Sequence, residues 1–239
     1  MKRFWDTAAP APDAGGWTIL LDGRPLRLPD GPKLHVAGRH LAAAVAAEWQ
    51  TAGGGKGGAM TYADVPLTRL TGTAQERIAA DPAAVALELA RYGESDLLCY
   101  RADSPDALVQ RQAAAWQPWL DWAATRYGAR LRVATGVMHM PQDTAALAAL
   151  AAAVSAYDPL ALAALGVAIP SLGSAVLGLA MAEAALDAAQ AHELAVLDEL
   201  FQEQLWGADP AGQARRAHAL ADLRVAGNLL ALLRADAAS

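Results

Sequence analysis

A chain of 239 residues, 54% of them hydrophobic, is long enough to bury a core and too apolar for disorder. Its formal charge of −6 argues against nucleic-acid binding, because neutralising phosphates takes clustered lysine and arginine. The single cysteine, Cys99, excludes an internal disulfide, and between Leu98 and Tyr100 it reads as a small core residue rather than a nucleophile.

Residues 1–37 read as β structure. Two basic residues precede Phe4 with no apolar run after them, so neither a secretory signal nor a transit peptide is expected at this end. Residues 17–21, then Asp22-Gly23, then 24–28 give a hairpin pattern, since Asp-Gly supplies the positive φ of a primed turn. Pro25 cannot donate a ladder hydrogen bond and belongs at an edge. A second turn over 29–32 and a short strand over 33–36 complete a meander. From His40 the spacing turns helical, with Leu41, Val45 and Trp49 at four-residue steps. The glycine run 52–59 ends that helix and reads as a flexible loop. It contains Gly-Lys without the spacing of a phosphate-binding loop, and it follows a helix rather than a strand.

The predicted architecture is α+β, with a small antiparallel β meander domain over 1–62 and a larger, mainly helical domain over 63–239. Helix starts are well marked in the second part. Thr73-Ala-Gln-Glu76 has the form of a capping box. Asp81-Pro82, Ser104-Pro105, Asp158-Pro159 and Asp209-Pro210 each place a good N-cap before a proline at the first helical position. Between these lies the densest stretch of polar and aromatic residues, 91–101. Gly93 stands there where a helix C-terminus favours positive φ, and residues 97–100 suit a buried strand. A short strand pair from 130–133 and 137–140 is expected nearby.

Over 105–127, Trp116, Leu120, Ala123 and Tyr127 make one stripe with Trp119 beside it, and the tryptophans read as core. Pro118 should kink or restart that helix. The uncharged stretch 160–182 has the length of a membrane span but carries Pro170, three glycines and two serines, so two buried helices broken at 169–171 account for it better. Over 186–206, Leu194, Leu197, Phe201 and Leu205 line one face. Asp198 and Gln202 border that face, Glu199 and Glu203 point away from it, and Trp206 falls off it just before Gly207. An off-stripe tryptophan is a candidate for an interdomain or partner contact.

Few residue patterns in the chain suggest chemistry. Glu94 and Asp96 would share a face if they lay in a strand, and with Tyr100 they would give an acidic small-molecule site. The structural alternative is that they pair with Arg91 or Arg101, or cap a turn. The five histidines lack metal-ligand spacing, and Ser171 and Ser174 lack a nucleophile-elbow pattern.

Arg91-Tyr92-Gly93-Glu94-Ser95-Asp96-Leu97-Leu98-Cys99-Tyr100-Arg101 resembles the signature of the ATP synthase assembly chaperone family that handles the alpha subunit. The likeness extends in order from Lys2-Arg3-Phe4-Trp5 through residues 21–25, Glu48-Trp49, Pro66-Leu67-Thr68-Arg69-Leu70 and 116–122 to 202–207. It implies a bacterial, cytoplasmic, soluble binding protein that is not an enzyme, uses no cofactor or metal, and inserts in no membrane. It would hold unassembled alpha until beta replaces it, with no small-molecule substrate. The family resemblance also implies partner binding by Asp198, Glu199, Gln202 and Trp206. Tyr92, Gly93, Glu94, Asp96, Tyr100, Arg101 and Trp49 are expected to be structural. Other family members often carry a basic residue where this chain has Leu205.

Overall fold

The computed structural model describes every residue except Asp30 and Val137. The chain is α+β and divides into two compact units: Met1–Asp81 with Pro159–Ala164 and Asn228–Ser239, and Pro82–Asp158 with Leu165–Gly227. The first division falls later than the 62/63 boundary read from the sequence. The helices following the sheet share its core, and that core decides where the unit ends.

In the first unit, β1 (Ala8–Asp13), β2 (Gly16–Leu21) and β3 (Arg24–Pro25) form an antiparallel sheet in the order β1-β2-β3. Asp22 (φ 47°) and Gly23 (φ 79°) make the two-residue turn between Leu21 and Arg24, as the Asp-Gly pair predicts. The longer partner of β2 is β1, whose Pro10 and Pro12 hid it from propensity reasoning. As an edge strand it can carry prolines at alternate positions, where the missing donors face away from β2. The meander continues irregularly, with Leu26 N donating to Ile19 O (2.8 Å) and Leu34 N to Leu26 O (2.9 Å). The second turn closes with Leu28 N donating to Pro32 O at 2.8 Å, although its Asp30 lies outside the described residues.

Helix α1 (Arg39–Thr51) buries Leu41, Val45 and Trp49 against β1 and β2. The Asp236 carboxylate accepts from His40 N (2.7 Å) and Leu41 N (3.1 Å), the first free amides of that helix. Helix α2 (Pro66–Thr73) starts the same way, its Leu67 N donating to Glu48 Oε1 at 2.7 Å and Thr68 N to Oε2 at 3.1 Å. The Thr73–Glu76 box therefore opens nothing. Thr73 is already helical, and the chain runs on into a π-helical turn, Ala74–Ile78. The glycine run closes around Arg3, a buried side chain that donates to the carbonyls of Trp5, Asp6, Gln50, Ala52 and Gly54.

The second unit is built from α3 (Pro82–Ala90), α4 (Asp106–Tyr127), α5 (Thr144–Ser155), most of α6 (Pro159–Leu172), α7 (Ala175–Ala182), α8 (Ala188–Ala195), α9 (Leu197–Trp206) and most of α10 (Pro210–Ala237). Three of the four proline starts hold. At the fourth, Pro105 is itself the extended N-cap and the helix opens at Asp106. Trp116, Leu120 and Ala123 of α4 are core. Neither internal proline breaks its helix, because Pro118 and Pro170 both sit on exposed positions where water can satisfy the orphaned carbonyl. The 160–182 stretch breaks instead at Gly173 (φ 62°), after which Ser174 Oγ accepts from Leu177 N at 3.0 Å to start α7. All of α7 is buried, and among the described residues no helix is long and apolar enough to cross a membrane.

Candidate functional site

The junction 91–101 folds as two 3₁₀ turns, Arg91–Ser95 and Leu97–Cys99, leading into β4 (Tyr100–Arg101), which pairs in parallel with β5 (Ala134–Thr135). Only the last two residues are strand, and β5 replaces the pair expected over 130–140, of which Val137 lies outside the described residues. Gly93 is needed for space rather than for positive φ. A Cβ there would stand 2.6 Å from Leu150 Cδ1, in the packing of the junction on α5.

This backbone separates the two acids. Asp96 is fully buried and accepts from Leu98 N and Val176 N, both at 3.1 Å, with further bonds from Ser174 and Ala175. Burial pushes its pKa up to about 6, while the donors around it pull the other way. Glu94 is exposed and stands 3.8 Å from Arg91, an i,i+3 surface pair. Tyr100 hydroxyl lies 3.2 Å from His139 Nδ1, and Tyr92 is half-buried. Cys99 is buried, and desolvation raises its thiol to about 12, so it is no nucleophile. No acid/base pair is formed at this junction.

The junction does, however, position α9. Arg101 is buried: Nε donates to Leu98 O at 2.8 Å, Nη1 to Gln112 O at 3.1 Å, and the guanidinium lies 5.4 Å from the Trp116 ring centre. Desolvation lowers its pKa. Gln112, also buried, accepts from Ala102 N at 2.7 Å and donates Nε2 to Asp198 Oδ1 at 2.8 Å. Trp116 Nε1 donates to Leu194 O at 2.9 Å where α8 ends. A relay of hydrogen bonds thus runs from the junction through α4 to the start of α9.

The expected single helix over 186–206 is two, α8 and α9, separated at Val196, so the apolar stripe is not continuous. Leu197 is buried, Phe201 half-buried, and Leu205 is 58% exposed. Trp206, 79% exposed, ends the helix before Gly207 (φ 91°). Gln202 is exposed, and Asp198 is half-buried over Gln112. Glu199 and Glu203 are not simply solvated. Arg216 of α10 donates Nη1 to Glu199 Oε2 at 2.9 Å and places Nη2 2.6 Å from Glu203 Oε1. The Arg216 hydrogen bond lowers the Glu203 pKa. Arg216, Gln112 and Arg101 were missed as parts of this arrangement. The i,i+4 spacing of Glu199 and Glu203 was the readable signal, since it suits one forked guanidinium.

Chemically the arrangement offers a braced acidic helix ending in two exposed apolar side chains. Among the described residues no group of three or more His, Cys, Asp or Glu could hold a metal ion.

Residues 2–124 match the family model described as ATP12 chaperone protein. The crystal structure of Atp12 from Paracoccus denitrificans superposes with a TM-score of 0.92 at 42% identity, covering 97% of each chain. A point mutant of the same Paracoccus protein gives 0.92 at 41% identity, again over 97% of each. A protein of Agrobacterium tumefaciens gives 0.91 at 42% identity, over 97% of this chain and 86% of that one.

Proposed function

Since the chain belongs to the ATP12 chaperone family, the chaperones of ATP synthase assembly, we propose that it binds the unassembled alpha subunit of the catalytic sector. It covers the apolar surface of alpha that is destined for beta, and beta later takes its place. Such a surface aggregates when left open, and covering it by equilibrium binding requires neither a cofactor nor a catalytic group. The protein would do this in the bacterial cytoplasm.

The observation that carries the reading is the end of α9, where Leu205 and Trp206 stand exposed beside acids held in place by Arg216. Exposed tryptophans at the centre of a patch are common sources of binding energy, and fixed charges around them set orientation and partner choice. Asp198, Glu199, Gln202 and Trp206 are the proposed contacts. Asp198 has a second task, because its carboxylate holds Gln112. A lysine there would break that bond as well as reverse the charge, so Glu199→Lys and Trp206→Ala are the cleaner substitutions. An enzymatic reading around Glu94 and Asp96 gains no support, because one acid is enclosed and the other solvated.

Tagged protein mixed with free alpha should retain it, and Glu199→Lys or Trp206→Ala should reduce the retained amount at least fivefold with unchanged Tm. Equal retention by both variants would move the contact elsewhere on the molecule.

A further inference from the structure

The family-like segment 66–70 has no part in α9, yet its Arg69 lines a cleft of about 310 Å³ within the first unit. One wall is α2 and its π-helical continuation, presenting Arg69 and Arg77. The other is the segment after β3, presenting Arg27 and Leu28, and Tyr62 stands exposed at the margin. Gly72 lies between the walls. A Cβ at Gly72 would come within 3.0 Å of Leu28 Cδ2, so bare backbone keeps the cleft floor close and apolar.

Three features mark the cleft as a binding site. The first is charge. Among the described residues lining it, Glu76 is the only acid against three arginines, in a chain whose net charge is −6. All three arginines are exposed, and Arg27 Nη1 donates to Gly31 O at 2.7 Å. The second is the π turn, in which Ala79 N donates to Ala74 O at 2.9 Å. Such turns displace the side chains that follow them and occur often at functional sites. The third is spacing. Arg69 and Arg77 are eight residues apart, roughly 12 Å along a helix at about 1.5 Å per residue. In an extended peptide, residues i, i+2 and i+4 face the same way and cover roughly 13 Å.

We infer that this cleft binds an extended acidic segment of a partner protein, with acids at i and i+4 meeting the arginines and an apolar residue at i+2 on the Leu28–Gly72 floor. Taking that partner to be the chaperoned subunit rests on the function proposed above, whereas the peptide specificity does not.

The test uses the full chain and a fluorescein-labelled peptide, Glu-Ser-Leu-Ser-Glu with blocked ends, followed by anisotropy. Binding is expected to weaken at least tenfold for the Gln-Ser-Leu-Ser-Gln peptide, for Arg69→Glu/Arg77→Glu protein of unchanged Tm, and between 50 and 300 mM salt (both concentrations set roughly by screening length). Equal affinity for the two peptides, or no loss in the double variant, would overturn the inference. So would inorganic pyrophosphate binding more tightly than the peptide, which would make the cleft a phosphate site. Capture of free alpha separates the two readings. If wild-type protein holds alpha and the double variant holds it equally, the cleft has no part in client binding and the proposed function stands. If wild-type protein ignores alpha while the peptide results hold, the proposed function fails and the cleft stands.

Discussion

Replacing Trp49 tests how the first unit is held together. Its ring is 6% exposed and packs against Trp5 at a tilt of 53° with centres 4.9 Å apart, and its Nε1 donates to Thr68 Oγ1 at 2.8 Å. Trp49→Ala removes a core aromatic, worth about 3–5 kcal/mol with its cavity, and a ring pair worth about 1 kcal/mol more. A total near 5 kcal/mol is a large share of the roughly 5–15 kcal/mol that holds a domain folded. Trp49→Arg puts a guanidinium in place of a buried ring, and the neighbouring Glu48 carboxylate is already engaged in capping α2. We expect Trp49→Arg to unfold the unit at 25 °C, Trp49→Ala to lower Tm by about 10–20 °C, and Trp49→Phe, which keeps the ring but loses the Thr68 bond, to cost about 1–2 kcal/mol. Urea titrations and thermal melts, both followed by circular dichroism, measure all three. An arginine variant melting within a few degrees of wild type would refute the packing argument.

Two further predictions concern the junction. Asp96 has a folded-state pKa of about 6, above the ordinary 3.8, so the native state keeps a proton that the unfolded chain has released between those values. Its contribution to stability therefore falls as pH rises from about 4 to 6. Asp96→Asn should remove that slope, and should also destabilise throughout, because an amide NH₂ must then face the N–H donors of Leu98 and Val176. A wild-type minus variant difference in unfolding free energy that stays flat over this window would contradict the assignment. Gly93→Ala should cost about 1–3 kcal/mol by pressing on the fully buried Leu150. In the double variant with Leu150→Ala the two losses should sum to less than their separate values, and strict additivity would place the clash elsewhere.

What the sequence made readable was local. Asp22-Gly23 set its turn, Leu41, Val45 and Trp49 set the buried face of α1, and the Asp-Pro pairs at 81, 158 and 209 marked three helix starts, because each signal acts within a few residues. Starts made by distant residues escaped notice. Glu48 opens α2 and Asp236 opens α1, and no local pattern announces either. The prolines misled in both directions. Pro10 and Pro12 concealed a real edge strand, while Pro118 and Pro170 suggested breaks that their exposed positions make unnecessary. At α9 the acids were visible, but the Arg216 fork and the Gln112 relay depend on tertiary proximity, which periodicity cannot supply.

On the proposed function, this protein protects an unassembled alpha subunit by covering its exposed apolar surface. Light scattering from free alpha, diluted to a concentration at which it aggregates, measures this directly. An equimolar amount of the protein should suppress the rise without ATP, and later addition of beta should release it as alpha and beta assemble. Scattering that rises at the same rate with and without the protein would contradict the account.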